Sequence, residues 1–342
     1  MFAAQRRATS FAAVMLLASM TTQSHAQITK AYRAQVLDLH ARDLDNTSNT
    51  VLGLKDGWTH VQFPGRSTSE RVILLGGYTG FEDPRSIKNG RISGQLTLSW
   101  TDDFIPGFSH ELGSDYTETF LWDEFDTSLV ASGIGQYGST AGSQFIDGVQ
   151  VGFVQELYGR IRRVEPLGGS LSASRTVDAN NTFMATGWAE MFPGGSKYPW
   201  RSEVANTTST LINIGDFMHN TVPEAINDQG YIVGYQDKDG VRNAIFIGTD
   251  NAVQLAWPLG VANDINNDGV IVGTQKNRPC AFLRSTNGSF TRIAYFTVNA
   301  GQLPKFTLDS FMKVNENGAI LAKGTTTVNN NTVEKFFLLT PY

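Results

Sequence analysis

Ala225 to Gly234 reads AINDQGYIVG, and Asp264 to Gly273 reads DINNDGVIVG. Both set Asn-x-x-Gly between two apolar, β-branched runs. Such a tetrad closes a tight hairpin, because Gly and Asn accept the positive φ that the turn requires. The return strand is apolar at consecutive positions, the pattern of a strand buried on both faces. A glycine ends it, where the chain bends or backbones crowd. A chain that states one hairpin twice calls for a search for repeats along its whole length.

The search finds further copies. KVNENGAILAKG runs from Lys313 to Gly324, TVDANNTFMATG from Thr176 to Gly187, and SIKNGRISG from Ser86 to Gly94. DLDNTSNTVLG, Asp43 to Gly53, is weaker, and a degenerate unit lies between Gly133 and Gly169. A third strand recurs as ETFLWDE, YPWRSE, NAIFIG, CAFLRS and KFFLLT, and a fourth as SERVILLGG, RIRRVEPLGG, STLINIG and FTRIAYF. Four short strands at a period of roughly 45 residues predict an all-β fold, a β-propeller of about seven four-stranded blades. Six blades, eight blades or another stacked β-array are the alternatives. The last unit ends at its third strand, and YRAQVLDLH (Tyr32 to His40) has the pattern of the missing fourth. Its pairing there would close the ring and leave no open edge.

The first 26 residues differ from the rest. Arg6 and Arg7 precede the apolar run FAAVMLLASM, and Ser24 and Ala26 are small residues placed for cleavage. This reads as a secretory signal peptide cleaved near Ala26, which predicts a secreted or periplasmic protein. The twin arginine has the wrong flanks for folded export. Residues 27–342 form the propeller domain, and no later segment is apolar enough for a membrane span. Removing residues 1–26 takes away two arginines and no acid, so the formal charge moves from −5 to −7. An acidic body gives no reason to expect nucleic acid as a partner. The single cysteine, Cys280, forms no internal disulfide and reads as a small buried hydrophobe. A monomer is expected.

EAINDQGYIVGYQDKDGVRNAIFI and NDINNDGVIVGTQKNRPCAFLRSTNG resemble the HAF repeat of bacterial extracellular proteins. That repeat has an A-x-x-I-N-x-x-G-x-V-V-G core followed by H-A-F-L-W. The resemblance is clear over residues 220–342 and weak over 36–215. Asn243, Cys280 and Lys335 replace the repeat's His, so no role of that His carries over. The resemblance implies a secreted or surface propeller-like protein and no particular reaction.

Asp264, Asn266 and Asp268 have the spacing of half a calcium loop, with Gly269 at the turn. Gln275 stands where the bidentate Glu is needed, and the copy at Ala225 lacks the first acid. No metal site is therefore assigned there. Function is sought instead in two apparent insertions, at 95–117 and 189–198. The first lies in a region, Ile92 to Gly159, with no Lys or Arg. It and its flank offer Trp100, Asp102, Asp103, His110, Tyr116 and Trp122 as ligand-binding residues. The second offers Tyr198, Trp200 and Arg201. Aromatics interleaved with charges suit sugars, by stacking and by hydrogen bonds to hydroxyls.

The leading expectation is a non-catalytic propeller binding a polysaccharide, an envelope component or a surface protein. The alternative is a polysaccharide lyase or glycoside hydrolase using His110, Glu111, Asp102 and Asp103. No cofactor is expected, with a structural calcium ion as the minor alternative.

Overall fold

The computed structural model describes residues 28–342, apart from segments 73–79, 99–106, 114–118, 122–128, 135–138, 156–160, 165–171, 204–209, 212–219, 299–305 and 329–330 and residues 183 and 191. The expected signal peptide lies outside the described residues. No described helix is long and apolar enough to cross a membrane.

Among the described residues every regular element is a strand. β1 (Ile28–Val36) precedes the first sheet, made of β2 (His40–Leu44), β3 (Val51–Lys55), β4 (Trp58–Gln62) and β5 (Glu70–Arg71). The second sheet is β6 (Gly80–Lys88), β7 (Arg91–Leu98), β8 (Gly107–Glu111) and β9 (Thr119–Leu121). The third is β10 (Leu129–Ile134), β11 (Thr140–Ile146), β12 (Val149–Gln155) and β13 (Ile161–Arg163). The fourth is β14 (Ser174–Ala179), β15 (Met184–Glu190), β16 (Lys197–Glu203) and β17 (Thr210–Leu211). The fifth is β18 (Thr221–Ile226), β19 (Ile232–Lys238), β20 (Val241–Ile247) and β21 (Val253–Trp257).

The remaining strands are β22 (Gly260–Ile265), β23 (Val270–Gln275), β24 (Arg278–Arg284), β25 (Phe290–Val298), β26 (Phe306–Val314), β27 (Ile320–Val328) and β28 (Asn331–Pro341). With β1 they form one eight-stranded sheet in the order β22-β23-β24-β25-β1-β28-β27-β26. Its one parallel junction joins β1 to β25, with Ile28 opposite Ile293. On its other side β1 runs antiparallel to β28, with Ala34 opposite Leu339. The N-terminal strand thus clasps the C-terminal one, although it runs a few residues earlier than the expected 32–40.

Each sheet packs its innermost strand on the next, from β2 through β6, β10, β14, β18 and β22 to β26, and β26 returns to β2. The sheets radiate from this circuit as a β-propeller. Apolar side chains fill the seams between neighbours. Between β18–β21 and β22–β25 these include Ala225, Val233, Phe246, Ile271 and Phe282. Cys280 is buried in this seam, and burial pushes its thiol up to about 12.

A bulge recurs at one place along every innermost strand, as between Pro223 and Ala225 and between Ala262 and Asp264. The bulge turns a carbonyl toward the partner strand, which explains the glycine ending each IVG run. A Cβ on Gly273 would lie 2.0 Å from the Val261 carbonyl oxygen, and one on Gly234 would lie 2.1 Å from that of Val222.

Beyond the bulge, the Asn that opens the turn, at 180, 227, 266 and 315, does two things. Its side-chain oxygen holds its own turn: Asn266 Oδ1 accepts the Val270 N–H at 2.9 Å, and Asn315 Oδ1 that of Ala319 at 2.8 Å. Its side-chain nitrogen reaches the next sheet. Asn180 Nδ2 donates to the Asn227 carbonyl at 2.7 Å, Asn227 to Asn266 at 3.1 Å, and Asn266 to Asn315 at 3.0 Å. Asn315 completes the series on the Asp45 carbonyl at 3.2 Å. Asp45 has no donor of its own, so the direction reverses there: Gly90 N–H donates to Asp45 Oδ1 at 3.4 Å.

The insertions are smaller than the sequence suggested. β7 extends to Leu98, and β8, at Gly107–Glu111, is the third strand of its sheet, with Phe108 fully buried. ETFLWDE therefore contributes the outer strand β9 and not the third strand. Phe108, Ser109 and His110 are all buried because neighbouring sheets cover both faces, so no alternation marks them as a strand. Likewise 189–198 reduces to a connection at 191–196 between β15 and β16.

The Asn belt predicts that Asn266→Ala strands the buried Val270 N–H and Asn315 carbonyl, a loss of about 2–4 kcal/mol. Asn266→Asp, which keeps the turn bond and loses the donor, should fall between it and the parent in urea midpoint.

Candidate functional site

The residues after five of the bulges, Asp43, Ser86, Asp178, Asp264 and Lys313, line one space at the propeller axis. Gly133 and Ala225 hold the other two positions. Asp43 Oδ2 accepts the Ile87 N–H at 2.8 Å, Asp178 Oδ2 that of Ile226 at 3.0 Å, and Asp264 Oδ2 that of Val314 at 2.8 Å. Each axial carboxylate is thereby tied to the backbone of the next innermost strand round the axis. The Lys313 ammonium stands among them, 3.9 Å from Asp43 Oδ1. Lys88 Nζ lies 3.8 Å from Asp178 Oδ1 and donates to the Ala179 carbonyl at 2.7 Å.

Enclosure and mutual charge set the protonation of this cluster. Burial would push the Lys313 ammonium down, but Asp264, Asp43, Asp178 and Glu224 outweigh it and hold it above its ordinary value. Burial pushes Asp43 up and takes Asp264 up to about 6, against the pull of Lys313 and of their backbone donors. The space they line is about 50 Å³ and reaches the turn residues Asn181, Asp228 and Glu316. It is enclosed and fits water-sized species, not a sugar ring.

The turn end of the ring is closed around this axis. Asn181 N–H donates to Asp228 Oδ1 at 2.8 Å, Asp228 N–H to Asn267 Oδ1 at 2.9 Å, and Asn267 N–H to Glu316 Oε2 at 2.9 Å. Asp264, Asn266 and the Gly269 turn are thus consumed by the fold. Asp264 leaves the turn for the axis and Asn266 bridges sheets. Among the described residues no group of His, Cys, Asp and Glu is placed to hold a metal ion.

The opposite end carries the connections from second to third strands. There Lys197 Nζ lies 4.1 Å from the centre of the Trp188 ring, and Arg242 lies 4.5 Å from that of Tyr235. Burial raises Glu224 above the ordinary carboxylate range against Lys313, Arg175, Arg242 and Lys197. Tyr235 is raised likewise, by burial first. Trp188 and Tyr235 follow the recurring glycines of TGW and VGY, so they are equivalent positions of two successive repeats. That equivalence was available in the sequence, but the adjacency of the two sheets that carry these residues was not.

Of the residues proposed from sequence, Trp100, Asp102, Asp103, Tyr116 and Trp122 lie outside the described residues. His110 is buried in β8 opposite Ile92. Glu111, next on the strand, points the other way and pairs with Arg91 at 2.7 Å. The two do not form an acid–base pair with each other. Trp200 is 1% exposed and packs in the seam with Ala141, Val154 and Ala185. Gly187 makes room for its indole, since a Cβ there would lie 2.7 Å from the ring. Arg201 Nη2 donates to the Gly248 carbonyl at 2.8 Å and fastens the fourth sheet to the fifth. Tyr198 is half-buried on the same strand. Trp200 and Arg201 are therefore structural: the inner faces of adjacent blades bury even polar-tipped and aromatic side chains.

No family model matches the chain, and no curated protein matches it. Among solved structures it is similar to one from a study of two prolyl endopeptidases, with a TM-score of 0.52 and 7% identity over 91% of this chain and 50% of that one. TolB from Acinetobacter baumannii gives 0.42 and 12% over 74% and 64%. YCF48 bound to D1 peptide gives 0.40 and 12% over 91% and 94%. The chain spans about half the length of the endopeptidase and under two thirds of TolB. The likeness to the endopeptidase is one of fold alone. The scaffold is a β-propeller.

The axial cluster makes stability depend on pH. With Asp264 at about 6 in the folded chain, the folded state holds this proton more tightly than the unfolded one. Its contribution is present at acid pH and is lost as pH rises from about 4 to about 6. Asp264→Asn should therefore gain on the parent by roughly 2–3 kcal/mol between those limits, read as urea midpoints across pH. Lys313→Met should cost about 2 kcal/mol at neutral pH, discounted for water in the cavity, and less at pH 4 where the carboxyls protonate.

Proposed function

We propose that this chain is an exported, non-catalytic β-propeller of seven four-stranded blades that binds a carbohydrate, a cell-envelope component or a protein partner. The observation that carries the binding reading is the contrast between its two ends. At the turn end, backbone and side-chain groups are spent on one another in a belt. At the opposite end, the cation–aromatic pairs Lys197–Trp188 and Arg242–Tyr235 flank Glu224. The Trp188 ring is itself buried, with Lys197 over it, so the half-buried Tyr235 is the ring on which this reading rests.

Support for seven blades comes from the bulge, which is present on each of seven innermost strands, with a second one on β26. The parallel junction at β1 divides the eight-stranded sheet into two groups of four, with β1 completing the last. The doubled role of the IN asparagine supports kinship with HAF-repeat proteins, because the belt needs that residue in successive repeats. The charged and apolar pattern of residues 1–26 supports export, and so placement in the periplasm or outside the cell. The divergence of His110 from Glu111 favours binding over catalysis.

Residues 27–342 should be retained on one member of a polysaccharide panel or by an envelope fraction, with no new reducing ends and no unsaturated-uronate absorbance. Tyr235→Ala should weaken that retention about tenfold, the worth of one stacked ring. Product release from any glycan would overturn the non-catalytic reading.

A further inference from the structure

Between the fifth sheet and β22–β25, at the same end of the ring, lies an open groove of about 500 Å³. The hairpin tip around Gly240 forms one wall and the tip at Lys276–Asn277 the other. Leu259 and Gly260 form its floor. Val241 is 42% exposed and Leu259 47%. The charged side chains lining the groove, Arg242 and Lys276, are both cationic, and Arg242 also lies 3.7 Å from Asp237 Oδ2 on its own hairpin.

Leu259 has φ of 55°, a conformation that glycine adopts freely and a leucine does not. Its backbone is clamped from both sides. Its N–H donates to Asn243 Oδ1 of the fifth sheet at 3.1 Å, and its carbonyl accepts the Lys276 N–H of the next sheet at 2.7 Å. Trp257, stacked on Phe282 with ring centres 4.5 Å apart, donates its indole N–H to the Thr274 carbonyl and holds the approach to the loop. An apolar side chain is therefore presented to solvent on a rigid, strained loop, where glycine would serve the fold better. Strain of this kind persists where the side chain itself is used.

We infer that this groove docks an extended peptide segment of a protein partner, one that offers an apolar side chain to Val241 and Leu259 and carboxylates to Arg242 and Lys276. The inference rests on the binding reading above and names the partner class for one groove of that surface. Charge complementarity favours an acidic segment. Two aliphatic side chains with no aromatic ring favour a peptide side chain over a sugar face, which is recognised by stacking.

The test uses residues 27–342 and three fluorescein-labelled short peptides, read by anisotropy. One alternates aspartate with leucine, one has serine for leucine, and one has lysine for aspartate. The first should bind, more weakly as salt rises, and the other two about tenfold less tightly. Leu259→Gly should weaken the first peptide about tenfold while the urea midpoint stays level or rises, since glycine relieves the backbone. Lys276→Glu should weaken it and reduce the salt dependence. Equal binding of the serine peptide, no binding of the first, or parent-like affinity in both variants would overturn the inference. Glycan retention lost in these two variants would also overturn it, by assigning the groove to a sugar. Tyr235→Ala, read on glycan or envelope retention, tests the broader reading separately.

Discussion

Asn266 receives the N–H of its own turn on one side-chain atom and gives a hydrogen to the next sheet from the other. Only a carboxamide can accept within its own turn and donate across a seam with one short side chain. Serine is too short to do both, and aspartate lacks the donor. The rest of the structure leans on this bridge, because apart from the β1–β25 junction neighbouring four-strand groups share no hydrogen-bonded ladder and meet through apolar packing and single side-chain ties. From Asn180 round to Asp45 the bridge holds successive turns at one height.

That common height explains the charged axis. Bulges at one height bring Asp43, Ser86, Asp178, Asp264 and Lys313 together at the axis, although they stand far apart in sequence. Three aspartates would repel one another there. Backbone N–H groups from other sheets and the Lys313 ammonium offset that repulsion, and the result is a strut that ties sheets together across the axis. The end opposite the belt differs: there cations rest on aromatic rings and Leu259 is held in the open.

The legible part of the chain was the part that repeats. IN-x-x-G-x-IVG marked the first hairpin of several sheets, and its closing glycine was read as a crowding point, which Gly234 and Gly273 are. The third strand of the second sheet was missed. Its residues Phe108 to His110 are buried on both faces, and the acids and aromatics around them resembled an inserted loop. Trp200 and Arg201 looked like surface recognition residues for a similar reason. Their composition suited a ligand, but one fills the space above a glycine and the other caps carbonyls of the adjoining sheet. Residue type does not reveal which side of a blade a side chain occupies when both sides are covered.

The sequence by itself determined the all-β class, the repeating hairpin and the turn chemistry, because periodicity and the φ demands of Asn and Gly are local. It also showed that the acid at Asp264 is not part of the shared turn, since the equivalent position is Ala225. Only the tertiary structure decided that Asp43, Asp178, Asp264 and Lys313 share one axis, and that Trp188 and Tyr235 lie on adjoining sheets. It alone showed that Leu259 is exposed. These are contacts between repeats, set by ring closure and bulge height, and no pattern within a single repeat encodes them.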